Sequence, residues 1–220
     1  MDELDVRQDN NVTRNATMTK PALDALFREA TGFHQTTCTL ASRFSGIKDF
    51  DHTHHQPIPM LVRAADGTIY RTLFKDHQAD AQWMQGADDY FTSLVVNGAF
   101  SLELHLKHLH GLVEKQERRG HDLHRLFLEL SDWTQKELES IFQAISGSQP
   151  SIQQQFDALR QEAGINFDWT MHDVLRESAR AFETWRYSYE SKTVPSSFAG
   201  YGEAVFAMRI ISTQFTGKTP

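Results

Sequence analysis

The chain has 220 residues, with 22 Lys and Arg against 29 Asp and Glu, a formal charge of −7 and 40% hydrophobic residues. This is enough apolar material for one packed domain and excludes a disordered chain, while the acidic balance argues against a general nucleic-acid coat and leaves room only for a local basic groove. The lone Cys38 excludes an internal disulfide and a paired-cysteine metal clamp. No run approaches the ~18 apolar residues of a membrane helix, and the polar N-terminus lacks a signal-peptide core, so a soluble, cytoplasmic protein with no membrane partner is expected.

Residues 1–20 carry no apolar periodicity and read as a disordered tail. Residues 21–75 read as an N-terminal helix, a loop and a small β-hairpin. The helix starts at Pro21 and places Leu23, Leu26, Phe27 and Ala30 at helical spacing, with Thr36, Thr37 and Thr39 weakening its far end. The hairpin spans about residues 59–74, because Asp66-Gly67 supplies the positive φ angles of a tight turn between two β-prone runs. A two-stranded ribbon is marginal alone and must lie against helices.

Residues 76–216 read as an antiparallel helical bundle, so the fold class is all-α. Trp83, Ala87, Tyr90 and Leu94 form the first stripe, and Asn97-Gly98 is expected to end that helix. A second helix carries Leu102, Leu106, Leu109 and Val113 and ends near Arg118-Arg119-Gly120; a short third carries Leu123, Leu126, Phe127 and Leu130. Thr134 to Glu137 has the form of a capping box, predicting a fourth helix that buries Leu138, Ile141, Phe142 and Ile145. Ile152, Phe156 and Leu159 mark another short helix. A long helix over about Thr170–Ser191 buries Val174, Leu175, Phe182, Trp185 and Tyr189, and a last one follows Gly200-Tyr201-Gly202. The widest stripes predict a shared core of Trp83, Leu94, Leu102, Leu106, Leu109, Leu126, Phe127, Leu130, Phe182 and Trp185.

Three segments carry a family resemblance. The run from Asn97 to Leu109, with Glu103-Leu104 and Leu106-Lys107, resembles the second-helix signature of HEPN (higher-eukaryote and prokaryote nucleotide-binding) domains. Gly120-His121-Asp122-Leu123 with Leu126 and Leu130 resembles the start of that family's third helix. Trp185-Arg186-Tyr187-Ser188-Tyr189-Glu190 is similar to a motif late in one bacterial branch. The resemblance covers roughly Asp76 to Glu190 and implies a HEPN-like bundle, commonly homodimeric. Many members are metal-independent ribonucleases of toxin-antitoxin or phage-defence systems, using an Arg followed after four to six residues by His; others bind RNA, nucleotides or protein partners. At the usual place for that motif stand Arg176, Arg180 and Arg186, and no His follows any of them. Arg119 and His124 have the spacing but lie at a different helix junction, so they are the catalytic candidates only by arithmetic.

The ligand-binding candidates are Glu103, Lys107, His121, Asp122, Arg186, Tyr187 and Glu190. Glu103 and Lys107 are four apart on one helix, as are Arg186 and Glu190. The plain expectation for each is a surface ion pair worth ~0.3 to 0.5 kcal/mol, although facing helices could join the four charges into one network lining a groove. Asp122 suits the first turn of a helix, and with His121, Arg118 and Arg119 nearby the same spot could take a phosphate. Tyr187 lies opposite Trp185 and Tyr189 on its helix; a buried contact with the next helix is the plain expectation, and stacking on a base or in a dimer interface is the functional one. The metal candidates are His105 with His108 and His121 with His124, each pair three apart. A zinc site would need the two pairs to converge, and no H-E-x-x-H motif or cysteine cluster supports one, so solvated or capping histidines, no structural metal and no cofactor are expected. The leading expectation is a non-catalytic module binding RNA, a nucleotide or a protein partner; the alternatives are a metal-independent RNase and a metal-dependent enzyme using the histidine pairs.

Overall fold

Helix α1 occupies Lys20–Ser45 in the computed structural model, which describes residues 17–45, 61–63, 69–71, 84–85, 90–148, 154, 156–158, 161, 168–186 and 196–217. Most of the expected tail lies outside these residues. Pro21 sits in the first turn of α1, where its missing N–H has no helical partner to lose. The threonines that weaken the far end do not stop the helix. Thr31, Thr36, Thr37 and Thr39 each donate their hydroxyl to the carbonyl four residues back, at 2.8 to 3.0 Å, so the competing polar group is satisfied within the helix.

Short strands β1 (Leu61–Arg63), β2 (Ile69–Arg71), β3 (Met84–Gln85) and β4 (Ser196–Phe198) form one antiparallel sheet in the order β3-β2-β1-β4. β1 pairs with β2 through Val62 opposite Tyr70 and with β4 through Val62 opposite Ser197. The sheet therefore holds twice the strands of an isolated ribbon, recruiting one from far along the chain, as a marginal two-stranded ribbon requires. Residues 84 and 85, inside the stretch from 76 onward expected to be helical, lie instead on the edge strand β3.

Helix α2 runs Tyr90–Leu112 without a break. Between Ser101 and Leu112 only Leu104 and Lys107 are not buried, which makes α2 the central helix. It packs most extensively along α1 and also meets α3 (Leu123–Leu128), α5 (Met171–Arg186) and α6 (Tyr201–Thr216). The expected stop at Asn97-Gly98 is wrong, and the expected end near Arg118 falls at Leu112. Asn97 donates from Nδ2 to the Ser93 carbonyl at 2.7 Å, within the helix. Gly98 serves close packing: a Cβ there would run into the Phe198 ring, with Cε2 at 2.9 Å, and lie 3.3 Å from Tyr201 Cε2. Gly98→Ala should therefore destabilise by ~1 to 3 kcal/mol although Ala is the better helix former by about 1 kcal/mol. Thermal unfolding checks this, and a raised midpoint would contradict the packing account.

α4 (Asp132–Gly147) also starts before the expected position. Its N-cap is Ser131, whose Oγ accepts from Thr134 N–H at 3.4 Å, and Thr134 is buried inside the first turn instead of capping it. Glu114, from the loop after α2, completes the cap: its Oε1 accepts from Ser131 N at 3.1 Å, Ser131 Oγ at 2.9 Å and Thr134 Oγ1 at 2.8 Å. Burial pushes the Glu114 carboxyl up, but these donors outweigh it and hold the group below the usual carboxylate range. A carboxylate likewise serves α5, where Glu139 Oε2 accepts from the backbone of Met171 at 2.9 Å and His172 at 3.4 Å. Gly200, with φ of 68°, turns β4 directly into α6.

Leu94, Leu102, Leu106, Leu109, Leu126, Phe127 and Leu130 share one buried core with Leu138, Phe142, Phe156, Val174, Leu175 and the face of α6 that carries Ala204, Met208 and Ile211. The side chains of Phe182 and Trp185, and Trp83, Leu159 and Tyr189 entirely, lie outside the described residues. Among the described residues no helix is long and apolar enough to cross a membrane.

Candidate functional site

The loop between α2 and α3 is tightly built. Lys115 adopts a left-handed φ of 57° and its Nζ donates to the Leu112 carbonyl at 2.6 Å, closing the end of α2. The loop delivers His121 and Asp122 to the start of α3, beside the outer edge of α2. There Glu103, nearly buried, accepts from Lys107 Nζ at 2.6 Å and from His121 Nδ1 at 3.0 Å to each oxygen. The expectation of a surface pair is corrected: the side chains of Glu103 and Lys107 are 8% and 17% exposed, so their attraction is screened far less than at a surface, while their desolvation must be offset by the hydrogen bonds. His121 is the exposed member of this trio. Asp122 caps α3, accepting from Arg125 N–H at 2.9 Å.

At the second residue of α3, His124 meets α5. Its Nε2 lies 3.0 Å from Nε2 of His172, with the ring planes at 81°. His172 Nδ1 is 2.9 Å from Asp173 Oδ1, which also takes Arg176 Nη1 at 2.9 Å, while Asp173 Oδ2 accepts from Asp168 N–H at 2.9 Å. Donation of Nδ1–H to the carboxylate sets the His172 tautomer and leaves its Nε2 as an acceptor, so His124 supplies the proton between the rings. Burial raises the Asp173 carboxyl, but the Asp168 N–H, His172 and Arg176 outweigh this and hold it low. Burial, then the neighbouring His172, hold the His124 imidazole below its ordinary value.

The two catalytic candidates are thus drawn to different partners: Arg119 is 90% exposed beside Glu117, and His124 is paired with His172. The histidine pairs also fare differently from expectation. His105 and His108 are core residues, not solvated or capping ones. His105 Nδ1 donates to the Ser101 carbonyl at 2.7 Å and its buried Nε2 has no partner; His108 Nδ1 meets Ser212 Oγ at 3.2 Å, and both rings pack on Phe27. Burial pushes His105 down to about 3 and His108 to about 4. Among the described residues no three histidine, cysteine or acidic side chains converge as a metal-ligand set. Arg186 lies on α5 with its side chain outside the described residues, as are Tyr187 and Glu190 altogether.

Sequence reasoning missed Asp173 and the partnership of His172. The signal present was the His172-Asp173 dipeptide followed by Arg176, which one helical turn gathers together; what spacing could not supply was the meeting of α3 with α5. It also missed a buried polar seam between α1 and α6. There His34 Nδ1 is 2.9 Å from the Tyr201 hydroxyl, and the Cys38 sulfur is 3.6 Å from His34 Nε2. Burial pushes the Cys38 thiol up to about 12, against an opposing pull from Arg209, so this cysteine is an inert core group.

No family model, curated protein or solved structure matches this chain.

Proposed function

We propose that the chain is a non-catalytic, HEPN-like interaction module of the cytoplasm, a homodimeric antiparallel bundle with a β insertion, whose polar junction of α2, α3 and α5 binds RNA or a nucleotide. The observation that carries the reading is the Asp173 anchor. One carboxylate holds a half-exposed guanidinium, Arg176, and orients the half-exposed His172 ring beside it, so Arg176 is a pre-oriented donor at the surface next to an imidazole pair. Exposed Arg119 adds a donor before α3, and His121, held by Glu103 through Nδ1, presents its other ring edge to solvent. A protein partner docking its acidic side chains is the other occupant such donors suit.

A ribonuclease reading is favoured by one specific feature, the His124–His172 contact. Two imidazoles that already share a proton can divide the donor and acceptor work of phosphodiester cleavage. The test is to incubate wild type, Arg119→Ala, His124→Ala and Arg176→Ala with structured and single-stranded RNA in the absence of metal. We expect RNA binding without cleavage, weakened by Arg176→Ala across sequences. Cleavage by wild type that His124→Ala abolishes overturns the non-catalytic reading, and absence of RNA or nucleotide binding overturns the ligand class.

A further inference from the structure

The geometry points to a second property of the α3–α5 contact: we propose that the Nε2 atoms of His124 and His172 form a two-imidazole site for an exchangeable divalent transition-metal ion, with Asp173 orienting the His172 ligand. This does not rest on the RNA-binding reading. Zinc lies about 2.0 to 2.1 Å from imidazole nitrogen, so two such ligands on a tetrahedral ion stand roughly 3.3 Å apart. The observed 3.0 Å needs to open by only a few tenths of an ångström, which small ring rotations supply. The near-perpendicular rings, with centroids 4.6 Å apart, let both in-plane lone pairs aim at one point without the rings colliding.

The support behind the ligands is already in place. A metal-bound histidine characteristically gives its other N–H to a carboxylate, which fixes the ring and raises its basicity. His172 does this with Asp173, itself held by the Asp168 backbone and Arg176. The ion takes the place of the proton between the rings, and His124 adopts the Nδ1–H tautomer, so both ligands bind neutral. With His172 42% exposed, the ion is reachable from solvent and keeps its remaining positions for water or an outside ligand. Imidazole donors select zinc, copper or nickel over magnesium and calcium. Two protein ligands give an exchangeable ion, distinct from a structural zinc.

The probe is zinc alone, titrated by calorimetry into chelator-treated full-length protein purified without nickel resin. His52, His54 and His55 are replaced by Gln in the parent protein to remove the other histidine cluster of the sequence. We expect one zinc per chain, weakened at least ~10-fold by His124→Gln and by His172→Gln and about 10-fold by Asp173→Asn, with circular dichroism confirming that each variant is folded. A parent that binds no zinc overturns the site. So does unchanged affinity in folded His124→Gln and His172→Gln, or a loss caused by His121→Gln, which would move the ion to the pair on α3.

Discussion

Acidification from pH 7 to pH 4 should remove about 6 kcal/mol of folding stability through His105 and His108 alone. Both are buried and held neutral, at about 3 and about 4, against an ordinary value of 6.5. Below pH 6.5 the unfolded chain takes up two protons that the native state refuses, so stability falls as pH falls, by 1.36 kcal/mol per pH unit for each group, until the folded values are reached. Two and a half pH units give about 3 kcal/mol for each histidine, and the sum rivals the whole stability of an ordinary domain. The groups facing them sharpen the effect for His105, where Arg209 and His108 oppose protonation; Asp24 favours it at His108 without overcoming burial. Urea unfolding at pH 7, 6, 5 and 4 measures the slope. Stability flat between pH 7 and 5 contradicts the account, because carboxylates such as Glu114 and Asp173 withdraw support only at lower pH. His105→Met should remove one proton's share of the slope, while His108, His110 and His124, also held low, keep the rest.

Leu106→Ala should cost ~2 to 5 kcal/mol. Leu106 is fully buried in the core on α2, the helix that touches α1, α3, α5 and α6, so the cavity left by three missing carbons has walls from several elements and little freedom to collapse. Denaturant midpoints of wild type and variant measure the loss. A cost below ~1 kcal/mol would mean that α2 is not the centre of the packing. Leu104, the half-exposed neighbour two residues away, should tolerate the same truncation at a fraction of that cost, which makes the pair a matched control.

The leucines of α2 and α3 were legible because periodicity reports which face of a helix is apolar, and Leu102, Leu106, Leu109, Leu126 and Phe127 are all buried together. Residues whose role depends on what approaches from elsewhere were misread. Gly98 looks like a helix stop until Phe198, a hundred residues later, arrives against it. Thr134 looks like a cap until Ser131 takes that place and Glu114 comes in from an earlier loop. His105 and His108 look solvated because histidine is polar, yet they fall on faces of α2 that α1 and α6 cover, while Leu104 and Lys107 take the side that stays partly open. At the site, His121 and Asp122 were found from their helix-start pattern and His124 from its spacing to Arg119 and His121, whereas Asp173 acquires its importance only through the contact between α3 and α5.

Glu139 sits on α4, yet it is the group that receives the first backbone N–H groups of α5. It therefore acts as an alignment pin for a helix to which it does not belong. A slip of one residue at that pin would carry His172 about 1.5 Å along the helix axis and rotate it by roughly 100°, far outside the tolerance of a 3.0 Å contact with His124. The spacing of the two imidazoles is thus gauged from a position 33 residues upstream of His172 that touches neither ring. Sequence changes at residue 139 would be felt as a misaimed imidazole, with both histidines still present and the core still packed.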